Sequence, residues 1–130
     1  MIDVNRDPSG QTLYPGQFTT GLCPIQTFDG TPLYEPGALP DAHEIERRRA
    51  EWFDPYHTAL AIQIERLRAI HPAIVVYDAH SIRSVVPKLF DGELPNFNIG
   101  TNDGTSCAPA LTQAVEAICD ASPYSRVTNG

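Results

Sequence analysis

Basic residues are scarce in this chain. Nine Lys and Arg stand against sixteen Asp and Glu in 130 residues, a net charge of −7. Binding a phosphate backbone needs clustered cations, and the one cluster is Arg47-Arg48-Arg49. Glu44, Glu46 and Glu51 surround it, which reads as the solvated face of a helix, so nucleic acid is not an expected partner. Long apolar runs are missing too. The longest is Ala73 to Tyr77, far below the ~20 residues of a membrane span, so no membrane partner is expected. Asp3 and Arg6 arrive before any apolar stretch, and the N-terminus does not read as a secretory signal. Cysteine is sparse and odd in number: Cys23, Cys107 and Cys119, without a Cys-x-x-Cys pair. That argues against a disulfide framework and against a cysteine zinc site. The expectation is a reducing, cytoplasmic location, with the thiols serving as small apolar residues.

Turn formers are abundant instead. Twelve prolines are about twice the average usage, and the length suits one loop-rich domain. Ile2-Asp3-Val4-Asn5 alternates like the end of a strand, and Asp7-Pro8-Ser9-Gly10 stops it. From Gln11 to Leu39 the chain carries Pro15, Pro24, Pro32 and Pro36 with several glycines, a long loop of the kind that usually serves function. Asp41, with Glu44 three residues on, is a capping-box-like helix start. Tyr56, Leu60, Ile64 and Leu67 form an amphipathic stripe. Pro55 interrupts it, which predicts a kink or two helices meeting at Phe53-Asp54-Pro55, and Pro72 ends it. Ala73-Ile74-Val75-Val76-Tyr77 reads as a strand buried on both faces. Residues 82–103 form a second long loop. A second helix starts near Ser106, with Leu111, Val115 and Ile118 on its buried face, and Arg126-Val127-Thr128 begins another strand. The predicted class is α/β: a three-layer arrangement with a mostly parallel sheet and flanking helices.

Two short motifs carry chemistry. Asp78-Ala79-His80-Ser81 follows the predicted buried strand, and ligands in open α/β sheets gather at the carboxyl ends of strands. Residues two apart on a strand share a face, which places the Asp78 carboxylate beside the His80 imidazole. Such a pair suits a metal ligand or a general base; a histidine merely hydrogen-bonded to its neighbour is the plainer reading. Asp3-Val4-Asn5-Arg6 is the second. An asparagine and an arginine together can grip a carboxylate, the arginine through paired hydrogen bonds, although a surface arginine opening a loop has the same spelling.

In this order, Asp-x-Asn-Arg and then Asp-x-His-Ser, the two motifs resemble the zinc-dependent carboxypeptidase and aspartoacylase fold group. The wider wording resembles the N-formylglutamate amidohydrolase (N-formylglutamate deformylase) family. It includes Thr19-Thr20-Gly21-Leu22, Pro55-Tyr56-His57, Tyr77 through Ser84, and Leu89-Phe90-Asp91-Gly92. Asn96-Phe97-Asn98-Ile99-Gly100-Thr101 and the Ser106-Cys107 helix start continue it, so the likeness runs over essentially the whole chain.

The resemblance implies a zinc-exopeptidase-like fold and a metal-assisted hydrolase that releases formate from N-formyl-L-glutamate, a step of histidine degradation. It implies zinc, or another divalent metal, as cofactor. By position it assigns His80 to a metal ligand, with Asp78 behind it, and Asn5 and Arg6 to the substrate carboxylate. Arg83 is a further candidate grip on the dicarboxylate. The family's early His-containing metal loop belongs before Asp3, and its acidic catalytic residue after Gly130. Residues 1–130 are therefore expected to be the central part of one such domain, with no catalytic residue of their own. The alternatives are a truncated, non-catalytic remnant and a related aspartoacylase-type or N-acyl amino acid hydrolase. His43-Glu44-Ile45-Glu46 is formally a His-x-x-Glu but sits on a polar helix turn, and His57 reads as a packed or hydrogen-bonded helix histidine. His71 precedes a helix-ending proline and suits the helix C-terminus. Cys107, at a helix start, has no histidine near it in sequence.

Overall fold

Asp41 opens the first helix as its sequence predicts. In the computed structural model its side chain accepts a hydrogen bond from the Glu44 N–H at 2.8 Å, satisfying one of the donors that every helix start leaves orphaned. The structure describes residues 1–10, 20–87 and 91–130, in two compact units, Met1–His80 and Ser81–Gly130. Residues 11–19 of the first long loop and the Leu89-Phe90 dipeptide lie outside the described residues.

In the first unit, helix α1 spans Ala42–Arg48 and α2 spans Asp54–Arg68. Between them, Arg49–Phe53 form a π-helical turn in which the Asp54 N–H donates to the Arg49 carbonyl. Pro55 explains the widening. It has no N–H for the carbonyl four residues back, and its ring collides with that carbonyl in a regular helix. A π turn absorbs the misfit without breaking the backbone. The predicted kink at Phe53-Asp54-Pro55 is thus a local widening just before it.

Arg48 ties α1 to the start of the chain, donating to the Met1 carbonyl at 2.9 Å and to the Tyr34 hydroxyl at 2.8 Å. Gln26 and Pro32 form an antiparallel bridge around the Asp29-Gly30 turn, where Gly30 takes a φ of 86°.

Three sequence expectations fail here. Ile2-Asp3-Val4-Asn5 is no strand: Val4 and Asn5 occupy a turn, and the contact the Asp3 N–H makes is with the Leu22 carbonyl at 2.8 Å. Residues 73–77 have no ladder partner among the described residues, and Tyr77 is 86% exposed. A β-branched run supplies strand propensity, but a strand exists only where a neighbour accepts its hydrogen bonds. The α2 stripe is only partly covered, with Ile64 and Leu67 half-buried and Tyr56 and Leu60 exposed.

The second unit is a strand–helix–strand element. Strand β1 (Phe97–Ile99) pairs in parallel with β2 (Arg126–Thr128), Asn98 opposite Val127, and α3 (Pro109–Asp120) connects them. Parallel neighbours require such a crossover, so the α/β class is observed. Strand β1 lies inside what the sequence reads as loop, because three residues among prolines and glycines carry almost no periodic signal. Helix α3 begins three residues later than predicted, and Ile118 is exposed rather than buried. Arg126 anchors β2 to α3, donating to both Asp120 carboxylate oxygens at 2.6 and 2.8 Å. These bonds hold the Asp120 carboxyl below the usual carboxylate range.

Candidate functional site

The Asp3 carboxylate shapes the turn that carries Asn5 and Arg6. One oxygen accepts the Asn5 N–H at 3.0 Å and the other accepts Arg6 Nε at 3.2 Å, while the Arg6 N–H bonds the Asp3 carbonyl. Aspartate bonding the backbone two residues on is a local device that competes with strand formation, which is why this segment turns. Spending Nε on Asp3 orients the guanidinium. Among the described residues its Nη1 and Nη2 make no hydrogen bond, so two parallel donors stand ready for a carboxylate.

Residues 4–8, with Phe53 and His57 of the helical segment, line an open cleft of about 420 Å³, within the size range of small-molecule sites. Its charges are the Arg6 cation and, at the rim, Asp7. Hydrogen bonds from the Ser9 hydroxyl and N–H hold the Asp7 carboxyl below its ordinary value, so it stays ionised.

Asn5 is the joint between this cleft and the second motif. Its amide nitrogen lies 3.5 Å from His80 Nδ1, and His80 Nε2 lies 2.9 Å from an Asp78 carboxylate oxygen. The pairing of Asp78 with His80 is therefore real, although the segment before it is extended rather than laddered. A carboxylate only accepts, so the imidazole carries its proton on Nε2, which leaves Nδ1 as the lone-pair nitrogen in the neutral ring. Both side chains are more than half exposed. The structure thus brings Asn5, Arg6, Asp78 and His80 into one neighbourhood of the first unit. Arg83 belongs to the second unit and is exposed. Among the described residues no three His, Cys, Asp or Glu side chains gather to hold a metal ion.

The family profile described as N-formylglutamate amidohydrolase matches residues 1–130. The chain belongs to the N-formylglutamate amidohydrolase family. It is 50% identical to an N-formylglutamate deformylase of Pseudomonas aeruginosa, covering all of this chain and 49% of that protein. It is 44% identical to an N-formylglutamate deformylase of Pseudomonas putida, again over 100% of this chain and 49% of the relative. The chain spans about half the length of these curated relatives. No solved structure matches it.

Two residues outside the sequence-predicted site stand in the cleft. Phe53 is buried, and His57 stacks on it with ring centroids 4.2 Å apart. A spacing of four residues on one helix face was the available signal, but it does not say what that face meets. The remaining histidines and cysteines stay outside. His43 is exposed on α1, the His71 N–H closes the end of α2 onto the Leu67 carbonyl, and all three cysteines are free thiols, Cys23 buried. The arginine triplet is absorbed in ion pairs: Arg47 with Glu44 and Glu51, Arg48 with Glu44, Arg49 with Glu46 and Asp54. No helix among the described residues is long and apolar enough to cross a membrane.

Proposed function

We propose that this chain contributes the carboxylate-binding residues and one metal ligand to a site that hydrolyses N-formyl-L-glutamate to L-glutamate and formate. The carrying observation is that Asn5 belongs at once to the Arg6 turn and to the His80–Asp78 pair. A substrate carboxylate on Arg6 would therefore lie near the nitrogen best suited to a metal. In this reading Arg6 Nη1 and Nη2 take one carboxylate and Asn5 donates its amide beside them.

The donor set fits one ligand position of a metal site. His80 Nδ1 has the lone pair, and Asp78 on Nε2 holds the ring in the tautomer that a ligand needs. A catalytic zinc takes about three protein ligands, so the others lie outside the described residues. When bound, zinc polarises an amide oxygen and makes a water acidic enough to attack near neutral pH. The wider proposal is that the chain sits within a three-layer zinc-exopeptidase-like domain in the cytoplasm, the helices and the parallel β1–β2 pair supplying part of it.

Formate release from N-formyl-L-glutamate, measured with added zinc on a full-length family member that carries this segment, tests the reading. Release should exceed the buffer rate, His80→Ala should abolish it together with bound zinc, and N-acetylated substrates should react more slowly. No release by that full-length parent, or full release and zinc content in its His80→Ala variant, sinks the catalytic reading. A second reading is binding without turnover, favoured by the single metal-ligand position found among the described residues. It predicts a calorimetric signal with N-formyl-L-glutamate that Arg6→Ala removes, and no formate.

A further inference from the structure

The turn that presents Asn5 and Arg6 is held from behind by a side chain far away in sequence. His57 Nε2 lies 2.8 Å from the Val4 carbonyl oxygen. A carbonyl only accepts, so the imidazole donates a proton from Nε2 to it. Val4 immediately precedes Asn5, and its carbonyl belongs to the peptide plane that carries the Asn5 N–H. That N–H is the one bonded to Asp3 at 3.0 Å. One rigid plane is thus gripped on both sides, by Asp3 on the hydrogen and by His57 on the oxygen.

The helix side of the grip is also built. Phe53 is buried and stacks on the His57 ring at 4.2 Å, tilted by 41°, while Tyr56 meets the same ring edge-on at 5.2 Å. These contacts brace the imidazole on the helix. The π turn Arg49–Phe53 immediately precedes this pair. Each residue advances a regular helix by about 100°, so the added residue of a π turn rotates everything after it relative to α1. That rotation sets where Phe53 and His57 face relative to α1, whose Arg48 holds the Met1 carbonyl. Wide turns of this kind recur near functional sites because they re-aim side chains in this way.

We propose that His57 is a positioning residue for substrate binding: by holding the Val4 carbonyl it sets the orientation of Asn5 and Arg6 toward a dicarboxylate. The role rests on the carboxylate reading of Arg6 given above. His57 touches backbone, and its effect reaches the substrate through the turn.

Calorimetric titration of the full chain with N-formyl-L-glutamate and with N-formyl-L-alanine, which lacks the side-chain carboxylate, tests the role. The variants are His57→Phe, which keeps the stack on Phe53 and deletes the donor, and His57→Gln, whose amide still donates. His57→Phe should weaken N-formyl-L-glutamate binding about fivefold, the worth of one lost hydrogen bond, and narrow its preference over N-formyl-L-alanine. His57→Gln should restore most of both. A purely structural histidine would lower melting temperature and weaken both ligands alike, with no rescue by glutamine, and that result overturns the proposal. If Arg6→Ala erases the preference and His57→Phe leaves it intact, the positioning role alone fails. If Arg6→Ala leaves the preference untouched, or the parent chain binds neither ligand, the carboxylate reading fails and the positioning role with it. Should His57→Phe not fold, His57→Ala read against His57→Gln takes its place.

Discussion

Asp78 holds His80 through a 2.9 Å contact from Oδ2 to Nε2, and His80 turns its other nitrogen to the Asn5 amide. Both partners are largely exposed, so the pair adds little to stability. Its consequence is orientation: with Nε2 committed, Nδ1 is the only nitrogen left to accept.

If His80 ligates zinc as proposed, the zinc affinity of a full-length family member carrying this segment should depend on Asp78. Carboxylates behind a ligating histidine are typically worth 10- to 100-fold in metal affinity, so Asp78→Ala should weaken zinc binding about tenfold. Competition against a chromogenic chelator measures it, with His80→Ala as the reference for complete loss. Equal affinity in parent and Asp78→Ala chains removes Asp78 from the site.

Acid should loosen α1 at a defined place. Hydrogen bonds from Arg47 and Arg48 pull the Glu44 carboxyl down to about 2 from its ordinary 4.5. A carboxyl with a lowered folded-state value stabilises the fold above its unfolded value, and that contribution is lost as pH falls through the folded one. Helicity by circular dichroism should thus decline between pH 4.5 and about 2, and the Glu44→Gln chain should lack that part of the decline. Superimposable acid titrations of the two proteins refute it. At neutral pH, Asp41→Ala should cost about 1 kcal/mol by removing the helix cap.

In the second unit the node to break is Thr101, which is 2% exposed. Its hydroxyl donates to Asn129 Oδ1 at 3.1 Å and accepts from Asn129 Nδ2 at 2.8 Å and from the Gly104 N–H at 3.0 Å. Asn129 takes a φ of 54°, an arrangement asparagine tolerates better than most residues. Thr101→Val keeps the shape and strands these partners, so it should destabilise the chain by about 1–3 kcal/mol. Urea denaturation decides, and a midpoint equal to the parent's shows that the network contributes nothing.

What could be read from the sequence was what a few neighbouring residues settle among themselves. Asp41 caps the Glu44 N–H, the helical segment changes character just before Pro55, and Asp78 reaches His80 two residues away. In each case the partners lie within one turn or one pleat, so spacing alone brings them together. The family wording nominated Asn5, Arg6 and His80 as candidate site residues without placing them in space.

The tertiary structure decided everything that needs a distant partner. His57 meets Val4 across 53 positions, and Asn5 faces His80 across 75. Phe97, in a stretch that reads as loop, becomes strand because Arg126 lies alongside it. Residues 73–77 have the stronger strand composition and form no ladder among the described residues. Backbone propensity differs by only about 1 kcal/mol between good and poor strand formers, less than the hydrogen bonds a neighbouring strand provides or withholds. Local spacing therefore determined the helices and the Asp78–His80 pair, and long-range pairing determined which extended segments became sheet and which helix face became the floor of the cleft.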